Sequence, residues 1–196
     1  MARKVAADYS EKAALILDAA ARVFAEQGYE RATMADIARA AGFSKASAYH
    51  YFPAKEAVLH ALLQRSLQEL IDAVTAADPG PAAAPAVRLA ALIEAYVTAF
   101  IARVFVLTPL LLDRAQLRPA WRAEVQRQER WLLDLFGEAA APLGAPLPPH
   151  LTALLIFGAA IWTYYWYDPA GPVSAAALAR GVAALLTGHA SPLPGG

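Results

Sequence analysis

The sequence predicts an all-α protein. Apolar residues recur at helical spacing along nearly its whole length, glycines and prolines interrupt that pattern at short intervals, and no segment alternates with the period of a strand. In the first helix Ser10 is a candidate N-cap, and Ala13, Ile16, Leu17, Ala20, Val23 and Phe24 form one apolar face. Gly28 suits the left-handed position that ends it. Thr33 opens a second helix, where Thr33 and Asp36 have the spacing of a capping box with Asp in place of the more usual Glu. Ile37, Ala38 and Ala41 supply its buried stripe and Gly42 stops it. Ser44 caps a short third helix that runs to about Phe52, ahead of Pro53. A fourth helix covers about Ala54 to Ala77, and Asp78 to Pro85 reads as a loop. A fifth covers about Ala86 to Val106, and Pro109 and Pro119 bracket a short sixth. Pro119 suits the first turn of a seventh, which extends to about Ala140. After the proline-rich stretch Pro142 to Pro149, Leu151 to Tyr167 and Ser174 to Thr187 are the last two helices. The tail beyond Gly188 reads as frayed.

Composition narrows the function classes. The formal net charge is zero, so any contact with nucleic acid must come from local placement of cations and not from their excess. The absence of cysteine removes disulfides, thiolate metal sites and a cysteine nucleophile, and fits a reducing cytoplasm. The first eight residues contain no apolar run of the secretory type. Leu151 to Tyr167 is 17 residues without a charge. As a helix it spans about 25 Å, short of a hydrocarbon core of about 30 Å, so it is read as buried at a subunit interface and not in a membrane. Catalysis is not expected. Gly42 to Ala46 resembles a nucleophile elbow only superficially, lacking the second glycine and a preceding strand. The four histidines show no ligand spacing and no glycine-rich phosphate loop is present, so neither a metal nor a cofactor is called for.

Short helix, glycine turn, short helix is the geometry that presents a recognition helix to the DNA major groove. The third helix, Lys45-Ala46-Ser47-Ala48-Tyr49-His50-Tyr51, has small and polar residues in its first turn, which allow close approach to base edges. Lys45 can donate to guanine acceptors, and Ser47 can donate or accept. Thr33, Tyr49, Tyr51 and Lys55 have the chemistry for phosphate oxygens, and Lys55 stands where the amides of the fourth helix also favour an anion. Ser44, Ala46 and His50 complete the surface expected to meet DNA. Alternatively, the tyrosines pack against the first helix and His50 is an ordinary surface residue. Residues 1 to 56 hold eight Lys or Arg against seven Asp or Glu, so affinity depends on where the cations lie.

The segment Thr33 to Glu56, with Ala19-Ala20, Phe24 and Gly28-Tyr29 before it, resembles the DNA-binding module of the tetracycline-repressor (TetR) family. Ala46 and Ala48 stand where that family more often has glycine and a larger aliphatic residue. The resemblance implies a three-helix helix-turn-helix module, residues 1–53, followed by a six-helix ligand-binding and dimerisation module, residues 54–196. It also implies a homodimeric repressor that binds a palindromic double-stranded DNA operator and is released by a small-molecule effector. The last two helices would form the dimer interface, and Leu151, Leu154, Leu155, Phe157, Gly158, Leu178, Val182, Leu185 and Leu186 are too apolar for segments facing water.

The effector class is less constrained. Tyr96, Phe100, Phe105, Trp121, Trp162 and Trp166 are candidates to line an apolar pocket, although aromatic residues at helical spacing usually serve as core. Five of the 17 basic residues fall between Arg114 and Arg130, and Arg114, Arg118 and Arg122 are spaced by four. Arg118 and Arg122 are candidates to clamp an anionic ligand; the alternative is a solvated face paired with Asp113, Glu124 and Glu129. Trp162 to Ser174 is similar to a C-terminal stretch in TetR regulators of fatty-acid, sterol or aromatic-acid catabolism, several of which respond to acyl-coenzyme A (acyl-CoA) thioesters. A hydrophobic drug or other xenobiotic, with control of efflux, is the alternative.

Overall fold

The computed structural model describes residues 2–144 and 147–188, with the side chains of residues 2–8 and 104–107 outside that description. The tail expected to fray lies outside the described residues. Nine α-helices and no strand occur among the described residues: α1 Ala2–Gln27, α2 Met34–Ala40, α3 Lys45–Tyr51, α4 Lys55–Ala77, α5 Pro85–Ile101, α6 Val104–Asp113, α7 Pro119–Ala140, α8 Pro149–Trp162 and α9 Ala175–Thr187. Short 3-10 turns follow α6 (Arg114–Gln116), α7 (Ala141–Leu143) and α8 (Thr163–Tyr165). No helix among the described residues is long and apolar enough to cross a membrane.

Three boundaries differ from the sequence reading. Ser10 does not cap α1, because the Ala-, Lys- and Arg-rich residues before it are good helix formers and the helix continues back to Ala2. Pro109 does not open α6. The chain turns at Ala102 and Arg103 through bonds to the carbonyls of Thr98 and Phe100, so α6 begins at Val104 and encloses the proline, losing one ladder hydrogen bond. Finally, α8 stops at Trp162 and not Tyr167. The buried Thr163 turns its hydroxyl back onto the Ala160 carbonyl at 2.6 Å, and the chain tightens into a 3-10 turn.

Packing divides the chain into two compact units. One comprises the N-terminal stretch through Ser66 together with Phe105–Val125; the other comprises Leu67–Val104 and the chain from Gln126 onward. In the first unit Ile16, Ala19, Ala20, Val23 and Phe24 of α1 are buried with Ile37 and Ala38 of α2, Ala48 of α3 and Val58, Leu59, Leu62 and Leu63 of α4. Asp18 and Arg65 pair at its surface at 2.8 Å.

In the second unit α5 packs against α8 and α9. An aromatic cluster fills its interior: Tyr96 stacks on Phe157 with centroids 4.6 Å apart, and Phe136 meets both rings edge-on at 5.5 and 5.6 Å. The loop after α4 is ordered by Arg88, whose guanidinium grips Asp78 at 2.9 and 2.8 Å. That bond holds the Asp78 carboxyl below its ordinary pKa. Helix α8 buries Ala153, Ile156 and Ala160, whereas Leu151, Leu154, Leu155, Gly158 and Trp162 face out. Helix α9 likewise buries Ala179 and Ala183 and leaves Leu185 86% exposed.

Candidate functional site

Local chemistry builds the α2–α3 corner. The Thr33 hydroxyl accepts from the Asp36 amide at 3.2 Å, and the Asp36 carboxylate accepts from the Thr33 amide at 3.2 Å and its hydroxyl at 2.6 Å, closing the capping box. The Thr33 hydroxyl is the main cause that lowers the Asp36 pKa, with Arg39 adding at 2.9 Å. At the other end of α2, the Phe43 amide donates to Ala38 and the Gly42 amide to Arg39. This is the paired Schellman arrangement, and it needs the left-handed φ of +75° that Gly42 adopts. Ser44 then starts α3 by accepting from the Ser47 amide at 3.1 Å. Ala48 is the α3 residue that is wholly buried, which is where a small side chain lets α3 lie close to its neighbours.

This leaves one face of α3 outward. Lys45, Ala46, Tyr49 and His50 are exposed, Tyr49 to 42%, and Ser47 is half-buried. The Lys45 ammonium lies 5.9 Å from the Tyr49 ring centroid, so the two residues sit on the same side of the helix. Thr33 and Ser44 are at the two ends of the turn, their hydroxyls already committed to caps. Tyr51 turns instead toward α1, packing on Tyr9 at 4.7 Å, with His50 meeting Tyr9 edge-on at 6.1 Å. Tyr9 precedes Ser10, the position that local capping rules mark as the start of α1, so no sequence signal assigns it to this helix.

Lys55 corrects an expectation. Its ammonium donates to the carbonyls of Tyr29 (2.6 Å), Glu30 (3.1 Å) and Ala32 (3.0 Å) and sits 4.3 Å from the Tyr29 ring. All three N–H bonds are engaged by the α1–α2 loop, so Lys55 holds that loop and has no donor left for a phosphate. Burial, followed by Glu56, raises the Tyr29 pKa, and burial with Glu30 raises that of Asp113.

The residues expected at an effector pocket fall in both compact units. Tyr96 and Phe100 are buried, and their rings contact each other at 5.8 Å. Burial pushes the Tyr96 hydroxyl far above its ordinary pKa, so it stays neutral. The Phe105 side chain lies outside the described residues. Trp121 has the Arg118 guanidinium over its ring at 3.4 Å and the His60 imidazole stacked parallel at 4.7 Å, so it is packed within its own unit. Glu124 in turn pairs with His60 at 2.9 Å. Trp162 and Trp166 are 62% and 54% exposed, and α8 carries Trp162 on the same outward face as Leu151, Leu154 and Leu155. Phe157, expected at the dimer face, instead joins the aromatic cluster. Leu178 and Val182 are half-buried on α9.

The arginines do not share one face, since the 3-10 turn and Pro119 break the helix between Arg114 and Arg122. The Arg118 amide donates to Glu56 at 2.5 Å, and its side chain turns toward the same carboxylate. Arg122 donates to the carbonyls of Ala115 and Leu117. Arg122 and Arg114, with Leu111, Leu112 and Ala115, line a groove of about 250 Å³. Among the described residues no three His, Asp or Glu side chains are grouped as a metal would need.

Comparison with known proteins gives this geometry a context. Residues 16–62 match the family model of bacterial regulatory proteins of the tetR family, and residues 82–189 match that of tetracyclin repressor-like C-terminal domains. The chain is 46% identical over 79 residues to the HTH-type transcriptional regulator BetI of Rhizobium meliloti (strain 1021). That match covers 40% of this chain and 38% of BetI, so the shared sequence spans less than half of that relative. A bacterial regulatory protein in the tetR family from Rhodococcus RHA1 has the same fold with a TM-score of 0.82 and 27% identity, over 91% of this chain and 96% of that one. AibR, solved in complex with isovaleryl coenzyme A and operator DNA, is similar with a TM-score of 0.74 and 25% identity, over 90% and 98% of the two chains.

Proposed function

The chain belongs to the TetR family of bacterial regulatory proteins, and from that membership we propose that it is a homodimeric transcription repressor that reads a palindromic operator and is released by an acyl-CoA thioester. The single observation that carries the DNA-reading role is the α3 face: Lys45, Ala46, Ser47 and Tyr49 outward, beside a turn whose caps fix the backbone. Residues 1–53 are the DNA-reading module and the rest of the chain senses the effector and dimerises. Replacing Lys45 by Ala is expected to weaken discrimination at one base position by about 1–3 kcal/mol if the contact is bidentate, with affinity for unrelated DNA little changed. Equal loss on all sequences would mean that Lys45 meets phosphate.

Support for the dimer comes from the inverted faces of α8 and α9. Leu151, Leu154, Leu155 and Gly158 on α8 and Leu185 on α9 are exposed, an amount of apolar surface that monomers seldom leave in water. Leu178 and Val182 flank it. Light scattering at micromolar concentration is expected to report twice the 20.8 kDa chain mass, and Leu155→Glu to return it to the monomer value. A wild-type monomer would contradict the reading.

Support for the effector class comes from the likeness to AibR and from the aromatic cluster. Tyr96, Phe136 and Phe157 give the module the apolar aromatic interior that a short acyl chain requires, and such a chain would enter by displacing part of that packing. The test is a fluorescence-anisotropy titration of the protein–operator complex with a panel of acyl-CoA esters. A shift of about 5- to 150-fold in operator affinity is expected. Release by an uncharged apolar compound, with no response to any thioester, would replace the acyl-CoA reading by that of a drug sensor.

A further inference from the structure

Arg122 is pinned and incompletely satisfied. Its Nη2 donates to the Ala115 and Leu117 carbonyls at 2.8 and 2.9 Å, so the guanidinium cannot swing into solvent without breaking both bonds. Its Nε is buried and meets no acceptor. None of the described ion pairs includes Arg122. A buried N–H of a cation left without an acceptor is costly, and a bound anion relieves that cost.

The groove beside it has the composition to receive that anion. Among the described residues its lining is Arg114 and Arg122 with Leu111, Leu112 and Ala115, two guanidinium groups and no carboxylate. Leu112 is 72% exposed, an apolar rim open to a ligand's hydrophobic part. A volume of about 250 Å³ holds a phosphoryl group with room for ordered water, each water taking roughly 30 Å³. We infer that this groove binds a phosphoryl group of an amphipathic ligand, and that binding there loosens the 3-10 turn Arg114–Gln116 from the helix-turn-helix. The anion site stands on the groove alone; its consequence for DNA rests on the effector reading above.

The coupling follows from what the turn holds. Gln116 donates to Glu30 at 2.7 Å, at the loop that follows α1, and the Arg118 amide donates to Glu56, which opens α4. The two carbonyls gripped by Arg122 flank Gln116 in sequence. A phosphoryl oxygen competes for Arg122 with two neutral carbonyls, and charge-assisted bonds are the stronger kind. Drawing Arg122 toward the groove removes the restraint on the turn, and with it the fixed placement of Gln116 and Arg118 against the DNA-reading module.

Isothermal titration of the full chain with pyrophosphate and with coenzyme A tests the site directly. Both are expected to bind, and Arg122→Gln and Leu112→Glu to weaken both by about 10- to 100-fold. Because Leu112 is exposed, Leu112→Glu is expected to leave the thermal melt unchanged, so its effect cannot be ascribed to unfolding. Absence of pyrophosphate binding to folded wild type, or binding that survives both substitutions, would overturn the inference. Pyrophosphate binding that is lost in Leu112→Glu, in a protein that no acyl-CoA ester releases from DNA, would support the groove and overturn the effector reading alone.

Discussion

Replacing Phe136 by alanine is expected to lower stability by about 3–5 kcal/mol. The ring is fully buried and stands edge-on to both Tyr96 and Phe157, which stack on each other. Its removal takes away the wall against which that stack rests, and the neighbouring helices cannot close the space without moving both rings. For a chain of this size each kcal/mol is worth roughly 2–4 °C, so thermal unfolding by circular dichroism should shift down by about 6–20 °C. Phe136→Leu, which keeps most of the volume, should cost less than half as much. A loss below about 1 kcal/mol for the alanine variant would mean that the cluster is loosely packed.

The second large effect is expected at Lys55. Lys55→Met keeps the aliphatic stem and removes the ammonium that bonds the Tyr29, Glu30 and Ala32 carbonyls. Hydrogen bonds from a charged donor contribute about 1.5–3 kcal/mol, and here three acceptors lose their partner together, so a loss of about 3 kcal/mol is expected. The loop they belong to joins α1 to α2, and operator affinity should fall with it. A phosphate contact would behave differently: the salt dependence of DNA binding would drop by about one unit with little change in stability. Thermal melts and salt titrations on the same variant separate the two roles. An unchanged melt with a reduced salt slope would show that the loop clamp is not what Lys55 contributes.

The contrast between α3 and Lys55 shows which information was local. The caps at Thr33 and Ser44 and the left-handed Gly42 act over a few residues, and each residue type is selected by a backbone group that lies three to five positions away. That is why the helix-turn-helix was legible from residues alone. Lys55 carries the same chemistry whether it meets phosphate or carbonyl. What decides is the position of a loop 23 to 26 residues upstream, which periodicity does not report. Gln116 and Glu30 are 86 residues apart, Arg118 and Glu56 62 apart, and neither pair leaves a sequence signal.

Orientation of the apolar helices was hidden for a different reason. Helix α8 has no Asp, Glu, Lys or Arg, and apolar side chains occupy every face. With no polar stripe to mark the outside, Trp162 reads equally as pocket lining or as outer surface. The tertiary structure resolves this by burying Ala153, Ile156 and Ala160 against α5, so the large side chains turn out. At α6 local rules make Pro109 a boundary, but the turn at Ala102 and Arg103 already ends α5 and the proline lies inside the next helix.

The central claim is that two copies of this chain read DNA symmetrically through α3. Selection of binding sites from a random double-stranded DNA library, using wild-type protein verified as folded and dimeric, tests it most directly. The account predicts enrichment of two inverted half-sites at fixed spacing, and loss of preference at one position in each half-site when Lys45→Ala is selected in parallel. Enrichment of no symmetric motif, or an identical symmetric motif for both proteins, would contradict it.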